Sequence, residues 1–114
     1  MIARICRSAT LRSEAARYLA YLNEMVIPGY RRAEGNAGAF VLQENQENLT
    51  NFMLLSFWES AEALARYAGP QIETAVRDAQ AQEAQAQDAQ AQDAQEYNLL
   101  VAYESVARHY EVIG

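Results

Sequence analysis

The 114-residue chain has no lysine, one cysteine, one histidine and one tryptophan. All nine basic residues are arginines and the net charge is −6. There is no basic stripe of the kind that holds nucleic acid, and no nucleic-acid partner is expected. The lone Cys6 cannot form an internal disulfide and cannot build a metal site by itself. No apolar run approaches the ~20 residues of a membrane span, so no membrane partner is expected. Residues Met1 to Arg7 lack the long apolar core of a signal peptide, which makes the cytoplasm the expected location. A glycine-rich phosphate loop, a G-x-S-x-G elbow and paired Cys or His at metal spacing are also missing. Hydrolase, kinase and metalloenzyme readings therefore have no residues to stand on.

What the chain does have is an apolar stretch at its centre, Asn51 to Ser60, NFMLLSFWES. At period two, Phe52, Leu54, Ser56 and Trp58 share one face, and Met53, Leu55 and Phe57 share the other. Both faces are apolar, which predicts a strand covered on both sides. Ser60 then stands as an N-cap before a helical pattern.

The remaining segments arrange themselves around this strand. Ile2 to Arg7 predicts a strand with Ile2, Arg4 and Cys6 on one face and Ala3, Ile5 and Arg7 on the other. Thr10 and Ser13 are possible caps for a helix. In that helix Ala15, Tyr18, Leu19, Leu22, Met25 and Val26 form the inner stripe, with Arg17, Tyr21 and Glu24 outside. Pro28-Gly29 is expected to end it, and Gly35-Asn36 signals a turn. Gly38 to Gln43 predicts a strand that pairs with the central one across a polar turn, Glu44 to Thr50. Ala61, Leu64, Ala65 and Ala68 open a second helix, which Pro70 kinks or divides before Ile72, Ala75 and Val76. Residues 79–96 repeat an Ala/Gln pentad with one acid in each unit. Five residues advance about 140° around a helix, so the acids spiral and no apolar stripe forms; a solvated low-complexity insertion is expected. Leu99 to Ala102 is apolar, and the alternating segment Val106 to Ile113 predicts the last strand.

The order strand-helix-strand-strand-helix-strand predicts an α+β, ferredoxin-like split βαβ fold, with residues 1–114 forming a single domain. In that topology both helices cover one face of the antiparallel sheet. The other face would meet water, at about 1.5–3 kcal/mol for each large apolar side chain. A second copy laid sheet to sheet is the simplest cover, so a homodimer is expected.

The segments IARICR, PGYRRAEGNAG, LLSFWES, AGPQIETAV and RHYEV together resemble the antibiotic biosynthesis monooxygenase (ABM) domain, over roughly residues 1–78 and 97–114. The resemblance implies a dimeric α+β barrel with a pocket in each protomer between sheet and helices. Some members oxygenate aromatic polyketides with O2 and no metal or flavin; others degrade haem. Trp58 matches the tryptophan lining the pocket in both groups. Leu54 stands where the cofactor-free oxygenases use an asparagine. Arg7 and Val76 stand where the haem degraders use an asparagine and their histidine ligand, so the haem reading loses its iron ligand.

The expected function is oxidation of a flat, electron-rich aromatic by O2 with no cofactor. Trp58 is the candidate stacking wall, His109 a base or phenolate holder, and Arg7 a stabiliser of negative charge. Tyr67, Leu54 and Val76 are the candidate substrate-lining residues. Each also has a plainer reading: core packing for Trp58, a hydrogen-bonded strand residue for His109, a surface ion pair for Arg7. Cys6 reads as a small strand residue. A non-catalytic dimeric module that binds a small ligand is the alternative from another class.

Overall fold

The computed structural model describes residues 1–69, 99–104 and 106–114. The second half of the second helix, Val76 and the pentad repeat of residues 79–96 lie outside the described residues.

Strand β1 (Ile2–Leu11) leads through a 3-10 turn (Arg12–Glu14) into helix α1 (Ala15–Tyr21), a π-helical turn (Leu22–Val26) and helix α2 (Ile27–Arg32). Strands β2 (Asn36–Gln46) and β3 (Leu49–Trp58) follow, then helix α3 (Ala61–Ala68) and strands β4 (Leu100–Tyr103) and β5 (Arg108–Glu111). The sheet is antiparallel, in the order β2-β3-β1-β4, with β5 also pairing β1. β4 lies beside Ser8–Thr10 and β5 beside Ile2–Ile5, so the last strand is broken into two pieces along one edge of β1. This is the ferredoxin-like arrangement expected from the element order.

The register assigns the faces. Ile2, Arg4, Cys6, Ser8 and Thr10 of β1 oppose Trp58, Ser56, Leu54, Phe52 and Thr50 of β3. This side is buried beneath the helices, where Tyr18, Tyr21, Leu22, Val26, Ile27 and Tyr30 pack against Phe52, Leu54 and Trp58. The opposite side carries Ile5, Met53, Leu55 and Phe57, with Phe40 and Leu42 from β2 about half exposed at 51% and 47%. Phe40 and Phe57 meet edge to face there, centroids 6.3 Å apart.

Several local expectations are corrected. Pro28 does not end the first helix, which runs on to Arg32. The chain widens before the proline: the Ile27 N–H bonds Leu22 O, five residues back. Pro28 then falls in the first turn of α2, where its missing N–H costs little. The wide turn also rephases the helix. Ile27, five residues after Leu22, turns inward, while Met25 is 52% exposed. Tyr21 is buried, not outward, because it joins Tyr18 and Leu22 on one stripe. Thr10 belongs to β1, and neither it nor Ser13 caps α1, which has no side-chain cap.

The hairpin is longer than its polar sequence suggests. β2 extends through Gln46 and only Glu47 and Asn48 form the loop, with Glu47 at φ 49°. Pairs such as Asn51–Gln46 and Thr50–Asn45 carry polar side chains across the ladder and keep it paired. Ser60 does cap α3, accepting the Ala63 N–H at 3.1 Å. The helix is rotated from its expected face, however: Ala63 and Leu64 are buried and Tyr67 and Ala68 half-buried, while Ala61 and Ala65 are exposed. The large Tyr67 ring takes the inward position because Trp58 and Tyr30 offer it aromatic surface.

Candidate functional site

β3 ends with Trp58 fully buried on the helix-facing side. Its indole is enclosed by rings from two helices. Tyr67 of α3 lies with its ring centroid 4.9 Å away, and Tyr30 of α2 stands at 6.2 Å and 67°. Tyr30 and Tyr67 also contact each other, at 5.0 Å. Offset and edge-on geometries at these distances are the favourable ones for aromatic pairs. The indole N–H donates to Ser56 Oγ at 3.0 Å. Leu54, the next residue along this face, is also buried and sits opposite Cys6.

Beside this aromatic cluster runs a polar row. Ser56 of β3, Arg4 of β1 and His109 of β5 occupy one register position across three strands. Arg4 is 1% exposed, an unusual place for a cation. Its Nη1 lies 3.1 Å from His109 Nε2, and its guanidinium also hydrogen-bonds the Tyr30 hydroxyl. Guanidinium is donor-only, so in the first contact His109 Nε2 accepts. Burial pushes the Tyr30 phenol well above its ordinary pKa. The nearby Cys6 and Tyr67 add to the rise, and Arg4 opposes it. Tyr30 therefore stays a neutral phenol at physiological pH.

The sequence candidates divide between the two sides of the sheet. Trp58, Tyr67, Leu54 and His109 share the helix-facing side. Arg7 does not: it is on the open face, paired with Glu104 at 3.5 Å, both side chains substantially exposed. It cannot act on a group stacked at Trp58, because the sheet intervenes. Its surroundings match the plainer reading, a surface ion pair worth little to stability. Arg7 instead lines an open groove of about 610 Å³ that also touches Leu42, Glu44, Asn51, Met53 and Glu104. Val76 lies outside the described residues. The cation that does adjoin the aromatic cluster is Arg4, together with Tyr30 and Ser56, none of which was a sequence candidate. Parity sets Arg4 with Ile2 and Cys6 on the face opposite to that of Arg7, and the register shows that this is the face beneath the helices.

Among the described residues no group of three or more Cys, His, Asp or Glu side chains could hold a metal ion. No described helix is long and apolar enough to cross a membrane.

Known structures share this arrangement. The chain is similar to a candidate antibiotic biosynthesis monooxygenase from Deinococcus radiodurans, at 16% identity and a TM-score of 0.60, covering 100% of this chain and 94% of that one. It is similar to another from Bacillus cereus, at 11% identity and a TM-score of 0.63, covering 99% and 93%. A third, from Nitrosomonas europaea, matches at 11% identity and 0.62 over the whole of both chains. Likeness at such identities shows the fold alone. No curated protein matches the chain by sequence. The family model described as antibiotic biosynthesis monooxygenase matches residues 1–97, well over half of the sequence, and the chain belongs to that family.

Proposed function

We propose that this protein is a cofactor-independent monooxygenase that oxidises a flat, electron-rich hydroxyarene with O2, working as a homodimer. The observation that carries the reading is the contact between an aromatic cluster, Trp58, Tyr67 and Tyr30, and a polar pair of buried Arg4 and half-buried His109. Tyr67, half-buried on α3, already packs on the Trp58 indole, so a planar ring would stack here by taking the place of the Tyr67 ring, with its developing charge met by the polar pair.

The chemistry needs no external reductant. An ionised hydroxyarene gives an electron to O2, and the resulting radical and superoxide recombine as a carbon-bound peroxide. The peroxide takes up a proton and loses water to leave a carbonyl: one ring C–H is replaced by C=O, one oxygen atom enters the product and the other leaves as water. The protein contributes orientation, charge stabilisation and exclusion of water.

The dimer reading rests on the open sheet face. Ile5, Met53, Leu55, Phe57, Phe40 and Leu42 form an apolar surface that no described helix covers. A twofold sheet-to-sheet contact would bury it and should exceed about 1,000 Å² in total.

Oxygen uptake with a panel of dihydroxyarenes and anthrones tests the activity. Turnover above the uncatalysed rate, lost in Trp58→Leu, is expected; no turnover with any of the panel counts against it. The alternative, a non-catalytic ligand-binding module, draws on one observation: Leu54 leaves the centre of this face apolar, and the Trp58 N–H is already taken by Ser56. Thermal stabilisation by the same compounds without oxygen consumption would favour it. Haem degradation fits poorly. The chain's one histidine holds its Nε2 lone pair on Arg4, away from any iron.

A further inference from the structure

We infer that the wide turn Leu22–Val26 is an absorbed one-residue insertion, with Met25 the residue in excess, and that Pro28 requires it. Together they set the rotation at which α2 brings Tyr30 to Trp58. This device holds the aromatic cluster, and it stands whether or not the protein oxidises a hydroxyarene.

The buried positions give the count. From Ala15 through Tyr18 to Leu22 they fall at i, i+3 and i+7, the spacing of a regular α-helix, with Tyr21 beside them. After Leu22 the buried residues are Val26, Ile27 and Tyr30, each one place later than the i+3, i+4 and i+7 that would continue the stripe. Without Met25 all three would fall on those positions. Met25 is 52% exposed, and Asn23 and Glu24 beside it are exposed too, so no packed side chain occupies the extra place. The bond from the Ile27 N–H to Leu22 O spans five residues where an α turn spans four, and this is how the helix takes the extra residue in. An uninterrupted α-helix of the same sequence would turn α2 by about 100°, with Met25 inward and Ile27 and Tyr30 carried away from the stripe.

Pro28 explains why the turn lies where it does. In a regular helix its ring would press on the carbonyl of Glu24, four residues back, and its missing N–H would break the ladder. Behind the five-residue turn Pro28 falls at the start of α2, where both penalties are small. Two contacts depend on the resulting rotation. Tyr30, 1% exposed, meets Trp58 edge-on at 6.2 Å and Tyr67 at 5.0 Å. Arg31, the next residue, donates from Nη2 to Ala39 O at 2.9 Å, which fastens the end of α2 to β2.

The experiment follows deletion and proline variants by thermal unfolding and by the emission of Trp58, the chain's one tryptophan. Deleting Met25 alone closes the turn onto Pro28 and is expected to lower Tm by at least about 10 °C, or to prevent folding. Pro28→Ala alone leaves the extra residue in place, so Trp58 emission is expected to stay native. Deleting Met25 in the Pro28→Ala background gives a regular helix with the same buried stripe. That protein is expected to fold, to recover the Tm lost on deletion and to keep native Trp58 emission. Ala20 is exposed like Met25 but sits in the regular turns of α1. Deleting it in the same background takes buried Tyr21 and Leu22 out of the stripe and is expected to lower Tm. A Met25 deletion that keeps the native Tm with Pro28 present would show that the proline does not need the wide turn, and would overturn the inference. Altered Trp58 emission in Pro28→Ala would overturn it too, because the proline and not the residue count would then set the rotation. So would a Met25 deletion with Pro28→Ala that is no more stable than the Met25 deletion alone, or no more stable than the Ala20 deletion. In either case the turn would not be where the chain absorbs an extra residue.

Discussion

Trp58 and Ser56 lie two residues apart on the same face of β3, and the indole N–H of the first donates to the hydroxyl of the second at 3.0 Å. Both are sealed from solvent. The bond matters because the largest side chain of the core carries a polar atom that water cannot reach. Ser56→Ala removes the acceptor and leaves the N–H buried. The expected loss of stability is about 1–3 kcal/mol, read by urea denaturation, together with a shifted Trp58 emission spectrum. An unchanged midpoint would show that the indole finds another acceptor and that Ser56 is not its anchor.

Period-two reading sorted each strand into two faces but could not say which one the helices cover. β3 is apolar on both sides, so hydrophobicity does not discriminate, and a shift of one residue exchanges every side chain. Arg7 entered as a candidate through the family resemblance, and parity did not show that it lies across the sheet from Trp58. The register resolves it: Arg4 shares a row with Ser56 and His109, while Arg7 faces Met53 on the other side. The π-helical turn was hidden for a different reason. A Pro-Gly pair is a strong stop signal, and the i+5 bond that carries the helix through it has no marker in composition. Strand parity puts Leu54 and Trp58 on one face of β3, but it took the register to bring His109 to that side and the rotation of α3 to bring Tyr67 there.

The open face can now be tested with a specific residue. Leu55 sits between Ile5 and Phe40 on that side, half-buried in the protomer. Light scattering at micromolar concentration is expected to give twice the 12.8 kDa mass of the chain. Leu55→Asp places a charge at the centre of the proposed contact and is expected to yield a folded monomer, or an unfolded chain if the protomer cannot stand alone. Leu54→Asp, on the buried side, should unfold the protein in either case. A Leu55→Asp protein that remains a folded dimer would mean that the copies meet elsewhere.

Alkaline stability should report on Tyr30. Its phenol is pushed up by burial in the folded state, whereas an unfolded chain ionises near pH 10. A raised folded pKa contributes stability that is fully present below about pH 10. It is lost as pH rises from there towards the folded value, because the unfolded chain releases the proton first. Urea midpoints measured from pH 9 to 11.5 are expected to fall more steeply for the native protein than for Tyr30→Phe. The variant should also be less stable at pH 7 by about 1–3 kcal/mol, because Arg4 loses an acceptor. Parallel curves for the two proteins would contradict the buried phenol.

The turn before β2 sets how closely α3 can approach. Gly35 has φ 85°, and its carbonyl accepts the Glu59 N–H at 2.8 Å, tying the turn to the end of β3. A methyl built on Gly35 would collide with the Cβ of Ala63, one of the two fully buried residues of α3. Gly35→Ala therefore meets two penalties, a backbone conformation that side chains resist and an overlap with a helix fixed by its Ser60 cap. Together they are expected to cost at least about 2 kcal/mol. The penalties separate in a double-mutant cycle. Ala63→Gly alone should cost about 1 kcal/mol, as glycine does within a helix. In combination with Gly35→Ala it should remove the overlap and leave only the backbone strain, giving a favourable coupling energy. The Tyr67 ring rides on the same helix, so the single variant should also loosen the Tyr67–Trp58 contact and alter Trp58 emission. Strict additivity with an unaltered spectrum would mean that α3 is not held against the Gly35 turn.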